Sequence, residues 1–133
     1  ARARAAIAEA GLSHRTHGIA RAMSHGEQRQ LEIAMVIAAD PQVILLDEPL
    51  AGMGHAEAER MIGLIRTLKQ GRAVLLVEHD MDAVFALADR LTVMADGQMI
   101  ASGGPQEVRA DAAVRKAYLG YDDAGHDAQG EAA

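Results

Sequence analysis

The sequence predicts an α/β fold built on a mostly parallel sheet. Two aliphatic runs and the stretch between them carry that prediction. Val43-Ile44-Leu45-Leu46 and Ala73-Val74-Leu75-Leu76-Val77 are continuous, the pattern of strands buried on both faces. Between them, His55 to Lys69 is amphipathic at helical spacing. Ala58, Met61, Ile62, Ile65 and Leu68 share one face, with Glu57, Glu59, Arg60 and Arg66 off it. Strand, helix, strand is a βαβ unit, whose crossover should be right-handed. Its strands run parallel, so their carboxyl ends share one edge of the sheet. The first run ends in Asp47-Glu48-Pro49 and the second in Glu78-His79-Asp80. Topology therefore gathers Asp47, Glu48, Glu78 and His79 on the edge where open α/β sheets bind ligands. Two readings of the acidic pair stand at this point. It is a metal ligand beside a general base, or it is a strand returning to solvent.

The remaining elements follow from local patterns. Ala3 to Ala10 is an Ala-rich helical stretch stopped by Gly11 as a C′ residue. Ser13 to Ala22 is polar and His-rich, a loop or short helix. Ser24 to Ala39 is a helix: Leu31, Ala34, Met35 and Ala38 follow i, i+3, i+4, i+7 spacing, and Ile33 and Ile37 widen the stripe. Asp40-Pro41 ends it. Gly52 and Gly54 mark a loop, and Gly71 closes the second helix. Met81 to Ala88 is a short helix with Met81, Val84, Phe85 and Ala88 expected inward. Leu91 to Ala95 pairs with Gln98 to Ser102 across Asp96-Gly97, a two-residue hairpin signal. Pro105 opens a short helix and Ala112 to Tyr118 forms another. Beyond these the chain is acidic, Gly/Ala-rich and without aliphatic anchors, so it reads as disordered. The expected organisation is one domain over residues 1–120 and an acidic tail over 121–133.

A length of 133 residues suits about one domain with one core. The aromatics are Phe85, Tyr118 and Tyr121 alone, so that core must be aliphatic. A net charge of −6 argues against nonspecific nucleic-acid binding. The absence of cysteine excludes disulfides and thiolate metal sites and fits a cytoplasmic protein. No apolar run approaches the ~18 residues that span a bilayer, and no signal-peptide pattern is present. Residue 1 is alanine and already lies in a helical pattern, so the chain reads as a piece of something longer. His14-x-x-His17 with His25 could suggest a metal site, but without cysteine or a carboxylate cluster beside them they read as surface histidines. Glu78 reads as structural, not as a second base.

Ser24-His25-Gly26-Glu27 opens the long helix. Ser24 and Glu27 fit the capping box Ser-x-x-Glu, which satisfies two free amides. The same helix start presents N–H groups to an anion, and Gly26 lets a phosphate approach the backbone. A helix start and a phosphate site both fit this motif.

Three motifs in order carry a resemblance. Met23-Ser24-His25-Gly26-Glu27-Gln28-Arg29-Gln30-Leu31-Glu32-Ile33-Ala34, then Val43 to Pro49, then Leu76-Val77-Glu78-His79-Asp80 resemble the ATP-binding-cassette (ABC) ATPases. They match that family's signature motif, Walker B motif and switch histidine. The likeness extends to Gly120. Ala51-Gly52-Met53, Val77 to Met81 and Val114 to Gly120 look more narrowly like the ATPase subunits of branched-chain amino acid importers. Related urea and amide importers look similar.

The resemblance implies the C-terminal part of a P-loop ABC nucleotide-binding domain, with the signature helix and a C-terminal β-hairpin. It implies ATP and Mg²⁺ as cofactors. Asp47 would hold Mg²⁺ through water, Glu48 would be the general base, and His79 would contact the γ-phosphate and orient the attacking water. Ser24, His25, Gly26 and Glu27 would form the signature, with Ser24 and Gly26 clamping ATP bound to an opposite subunit. The implied partners are a second ATPase subunit arranged head-to-tail, membrane permease subunits and, indirectly, a solute-binding protein, with no nucleic acid. The implied place is cytoplasmic, peripheral on the inner face of the cell membrane. The rival readings are a non-transport ABC ATPase acting on DNA or ribosomes, and a piece with no independent activity.

The chain departs from the family pattern at named positions. Met23, His25 and Glu27 stand where the usual Leu-Ser-Gly-Gly-Gln has Leu, the first Gly and Gln. Gly54 stands where the loop after Walker B has Asp. No Gly-Lys-Ser or Gly-Lys-Thr occurs in the chain. The phosphate loop, glutamine loop and adenine-stacking aromatic are expected upstream of Ala1, and the chain alone is expected to be inactive.

Overall fold

A computed structural model of the chain describes residues 1–119. The expected acidic tail over 121–133 lies outside the described residues. The chain divides into two compact units, one over Ala1–Leu87 and one from Ala88 onward.

The first unit starts with α1 (Arg2–Glu9), which ends as its sequence requires. The Gly11 N–H donates to the Ala8 carbonyl and the Leu12 N–H to the Ile7 carbonyl, with Gly11 at a φ of 77°. That is a Schellman motif, and glycine is the residue that takes the left-handed position without a Cβ penalty. Leu12 is buried beyond it. Two 3₁₀ turns, Ser13–Arg15 and Ala20–Ala22, occupy the polar segment. Then follow α2 (His25–Ala38), β1 (Val43–Asp47), α3 (His55–Leu68), β2 (Ala73–Val77) and α4 (Met81–Leu87).

β1 and β2 pair in parallel with Val43 opposite Ala73 and Asp47 opposite Val77. The βαβ reading therefore holds, and both strand bounds fall where the aliphatic runs meet charge. Ile44 is buried and Leu46, Val74 and Leu76 pack beside it. They join Ile33, Ala34 and Ile37 of α2 and Met61, Leu64, Ile65 and Leu68 of α3 in one cluster, with Ala6 of α1 and Ala10 at its C-cap.

The strands are not buried on both faces. Val43, Leu45, Leu75 and Val77 on the other face are 58%, 71%, 61% and 56% exposed. Pleating sends alternate side chains to opposite faces. The described helices bury only the face that carries Ile44. A continuous aliphatic run cannot by itself say how many of its faces are covered.

α4 also departs from expectation. Its buried residues are Ala83 and Leu87, with Met81, Val84, Phe85 and Ala88 only half-buried. The stretch is apolar nearly all round, so periodicity left its phase open. Asp80 Oδ1 accepts the Ala83 N–H at 3.1 Å and starts the helix.

The second unit holds the antiparallel hairpin β3 (Leu91–Ala95) and β4 (Gln98–Gly103). Asp96 and Gly97 both have positive φ, 49° and 74°, as a type I′ turn requires. A register shift between Val93 and Met94 marks a bulge. α5 (Pro105–Ala110), α6 (Ala112–Val114) and a π-helical turn (Arg115–Leu119) follow. Val108 and Val114 are buried with Leu91 and Val93 in this unit. The Tyr118 hydroxyl donates to the Met94 carbonyl.

Candidate functional site

The carboxyl edge of the β1–β2 pair is fixed by the chain's own backbone. Asp47 is the last residue of β1. Glu48 follows with a φ of 43°, and its N–H still donates to the Val77 carbonyl at 2.9 Å. The left-handed turn therefore comes where the chain leaves the sheet. His79 comes off β2 beside it, with Nδ1 3.2 Å from Glu48 Oε1. Both side chains stay open to solvent, at 53% exposed for Glu48 and 72% for His79. A carboxylate and an imidazole in contact can hold a water and move a proton between them.

Glu78 lies behind His79, its side chain 1% exposed and its Oε2 4.0 Å from His79 Nδ1. Its Oε1 accepts the Leu50 N–H at 3.0 Å and its Oε2 accepts the His79 N–H at 3.1 Å. It ties the loop after β1 to the end of β2. That is the structural role its position suggested. The edge thus carries an exposed Glu48–His79 pair beside a buried carboxylate strut.

The start of α2 is built differently. Ser24 Oγ accepts the Glu27 N–H at 3.2 Å, and Glu27 Oε2 accepts the Ser24 N–H at 2.9 Å. The capping box is complete. Arg15 then closes a fork on Glu27: its Nε donates to Oε1 at 2.7 Å and its Nη2 to Oε2 at 3.1 Å. His14 Nε2 lies 3.3 Å from Glu27 Oε1. The Arg15 fork, then the Ser24 amide, holds the Glu27 carboxyl down to about 2 from an ordinary 4.5. The same pairing raises the Arg15 guanidinium.

Glu57, in the first turn of α3, reaches across to this helix start. The Ser24 hydroxyl donates to its Oε1 at 3.1 Å. Gly26 is buried against it: a Cβ on Gly26 would stand 2.8 Å from the Glu57 carboxyl. A cavity of about 370 Å³ opens here, lined by Arg15, Ser24, Gly26, Glu57 and Arg60 among others. His25 turns away from it, with Nε2 3.2 Å from the Ala51 carbonyl. It pins α2 to the loop after β1, a role its neighbours in sequence did not suggest. Gly54 is the N-cap of α3 without a side-chain cap. Its carbonyl accepts the Glu57 and Ala58 N–H groups at 3.0 and 2.9 Å.

The predicted residues thus fall into two groups. Glu48 and His79 touch, with Asp47 beside them in the chain. Ser24, Gly26 and Glu27 share the α2 start, and His25 serves the loop. Arg15 and Glu57 were missed. Both lie far from their partners in sequence, and no local pattern pairs them. Among the described residues no group of three or more His, Asp or Glu side chains could hold a metal. His14 is instead on Glu27.

Comparison with known proteins places these features. The family model for ABC transporters matches residues 1–51, and that for the branched-chain amino acid ATP-binding cassette transporter matches residues 98–124. The high-affinity branched-chain amino acid transport ATP-binding protein LivG of Salmonella typhimurium is 38% identical over 112 residues. That stretch is 83% of this chain and 44% of LivG. The chain belongs to the ATP-binding-cassette family.

A relative of another name is nearly as similar. The lipopolysaccharide export system ATP-binding protein LptB of Haemophilus influenzae is 36% identical over 115 residues, 86% of this chain and 48% of LptB. The fold agrees with the solved ADP conformation of an ATP-binding cassette of an ABC transporter. The TM-score is 0.79 at 31% identity, covering 90% of this chain and 49% of that one. The chain spans about half the length of the curated relatives it matches. The α/β cassette fold with its small parallel sheet and antiparallel hairpin is thus the one the sequence predicted.

Proposed function

We propose that this chain carries the hydrolytic edge and the signature helix of an ATP-hydrolysing subunit of an ABC importer. The observation that carries the proposal is the Glu48–His79 contact at 3.2 Å, formed where two parallel strands end beside Asp47. In this reading Glu48 accepts the proton of the attacking water, and His79 holds that water and the terminal phosphate in line. Both side chains are exposed enough to receive a nucleotide.

Asp47 would hold Mg²⁺. Its carboxylate is exposed at the strand end, and an oxygen donor there suits a hard cation that keeps most of its water. The ion, when bound, supplies charge neutralisation at the phosphates. Ser24 and Gly26 present a hydroxyl and a bare helix start to the phosphate of a nucleotide held by an opposite subunit. Glu27, neutralised by Arg15, holds that helix start in shape, and His25 joins it to the loop after β1.

The cargo reading is a branched-chain amino acid. It is supported by the family model over residues 98–124 and the LivG likeness. The LptB likeness supports a second reading, in which the subunit drives lipid export. Among the described residues no helix is long and apolar enough to cross a membrane. In this reading the subunit works as one of a head-to-tail pair docked on permease subunits at the cytoplasmic face. A solute-binding protein would feed an importer of this kind. Cargo choice would rest with those partners.

The test is Glu48→Gln in the intact ATPase that carries this chain. Turnover should fall by at least about a hundredfold while ATP binding persists. Hydrolysis at the wild-type rate would remove Glu48 from the base role. The phosphate loop is not in this sequence, so the chain by itself should bind Mg-ATP weakly and turn none over. Calorimetry and a phosphate-release assay read both, and micromolar binding with turnover would overturn that expectation.

A further inference from the structure

The Ser24 hydroxyl has one proton to give. In this structure it gives it to Glu57 Oε1, at 3.1 Å. The same oxygen already accepts the Glu27 N–H. Nothing on Ser24 is left for another acceptor to take. The backbone beside it is occupied too. With Glu57 in this position Gly26 is covered: the carboxyl lies 2.8 Å from where a Cβ would stand. A negative group therefore sits at the positive end of a fourteen-residue helix, against the side chain and the glycine that would receive a phosphate.

A phosphate and the Glu57 carboxylate cannot both take the Ser24 hydroxyl, because it has one proton to give and like charges at contact distance repel. One turn further along α3, Arg60 lines the same cavity. Its guanidinium has no hydrogen bond or ion pair among the described residues. Glu57 and Arg60 stand i, i+3 on a helix, the spacing at which opposite charges meet.

We propose that Glu57 is a built-in stand-in for phosphate: its carboxylate holds the Ser24 hydroxyl until a nucleotide phosphate displaces it onto Arg60. The contact keeps the helix start formed while empty, and it sets a threshold on closure of the subunit pair. The proposal rests on the reading of Ser24 and Gly26 as a clamp for nucleotide held by the opposite subunit. Glu57 would be a positioning residue that never touches the reacting atoms. A purely structural brace would behave differently, since its loss could only weaken closure.

The experiment uses the intact ATPase in a Glu48→Gln background, with ATP-driven dimerisation followed by analytical ultracentrifugation. Glu57→Ala should lower the ATP concentration for half-dimerisation about five- to tenfold, as expected when a competing contact worth about one decade of affinity is removed. Arg60→Ala should raise it about two- to threefold, because the displaced carboxylate loses its acceptor. Glu57→Gln, nearly the same shape, should lie between wild type and Glu57→Ala and guards against a folding defect. If Glu57→Ala and Glu57→Gln leave the midpoint unchanged or raise it while the parent dimerises, the stand-in is wrong.

If the parent does not dimerise with ATP at all, the clamp reading fails. The stand-in is then decided by titrating inorganic phosphate onto the full chain and following the Gly26 and Glu27 amides by NMR. Shifts in Glu57→Ala at phosphate levels that leave wild type unmoved support it. Equal shifts in both overturn it.

Discussion

The start of α2 and the carboxyl edge of β1–β2 are opposites in how their charges are handled. At the helix start both carboxylates have side-chain or backbone partners. Glu27 meets Arg15, His14 and the Ser24 amide, and Glu57 meets the Ser24 hydroxyl. At the strand edge Glu48 meets only His79, and both remain largely in water. The helix start is held in one shape by its own side chains. The strand edge is held by backbone and by the buried Glu78, which leaves Glu48 and His79 open to solvent. A group that must hold a phosphate in place gains from preorganisation, because ordering it later would cost entropy. A group that must accept a proton from water gains from exposure to that water until the site closes.

The largest expected effect breaks the exposed side of the comparison. Glu48→Gln keeps the shape and removes the basicity, so turnover should fall about 10²- to 10⁴-fold. Unfolding in urea should be unchanged, because Glu48 is half exposed and its contact with His79 is a surface one. A variant that lost stability along with activity would mean the edge is as tightly built as the helix start.

Next comes the strut. Glu78→Ala leaves the part-buried Leu50 N–H and the more exposed His79 N–H without their acceptor. Such a loss costs about 1–3 kcal/mol, read as a lower urea midpoint. Activity should drop as well, since His79 is placed by that same carboxylate. No change in midpoint would show that water replaces the carboxylate and that Glu78 is not what fixes the edge.

The two regions also differ in how far the sequence revealed them. Strand ends were legible because aliphatic runs meet charge at Asp47 and Glu78, and the parallel pairing follows from the intervening helix. Ser24 and Glu27 were legible because a capping box is local, spanning four residues. The Arg15–Glu27 fork and the Ser24–Glu57 contact join residues 12 and 33 apart. They depend on how the polar segment and α3 fold back on α2, which no short pattern encodes. His25 was read with its signature neighbours, yet it serves the Ala51 carbonyl. Exposure failed for a different reason. Leu45 and Leu75 look like Ile44 and Val74 in sequence, and only packing tells the covered face from the open one.

The smallest effect tests the crowded side through pH. The Glu27 carboxyl is lowered to about 2, first by Arg15 and then by the Ser24 amide, from 4.5. Its ionised form is favoured by folding, so its contribution is fully present above pH 4.5. That contribution shrinks as pH falls, and it is gone below about pH 2. Glu27→Gln, which restores the residue usual in the signature, removes the titrating group while keeping an oxygen for the Ser24 amide. The stability gap between wild type and Glu27→Gln should therefore narrow steadily from pH 5 to pH 2. Arg15→Ala should narrow it at higher pH, because the carboxyl then lacks the partner that lowers it most. Other carboxylates also titrate in this window, but they are common to wild type and Glu27→Gln and cancel in the difference. A gap that stays constant across the window would mean that the Arg15 fork is loose in solution. The helix start would then be no more preorganised than the strand edge.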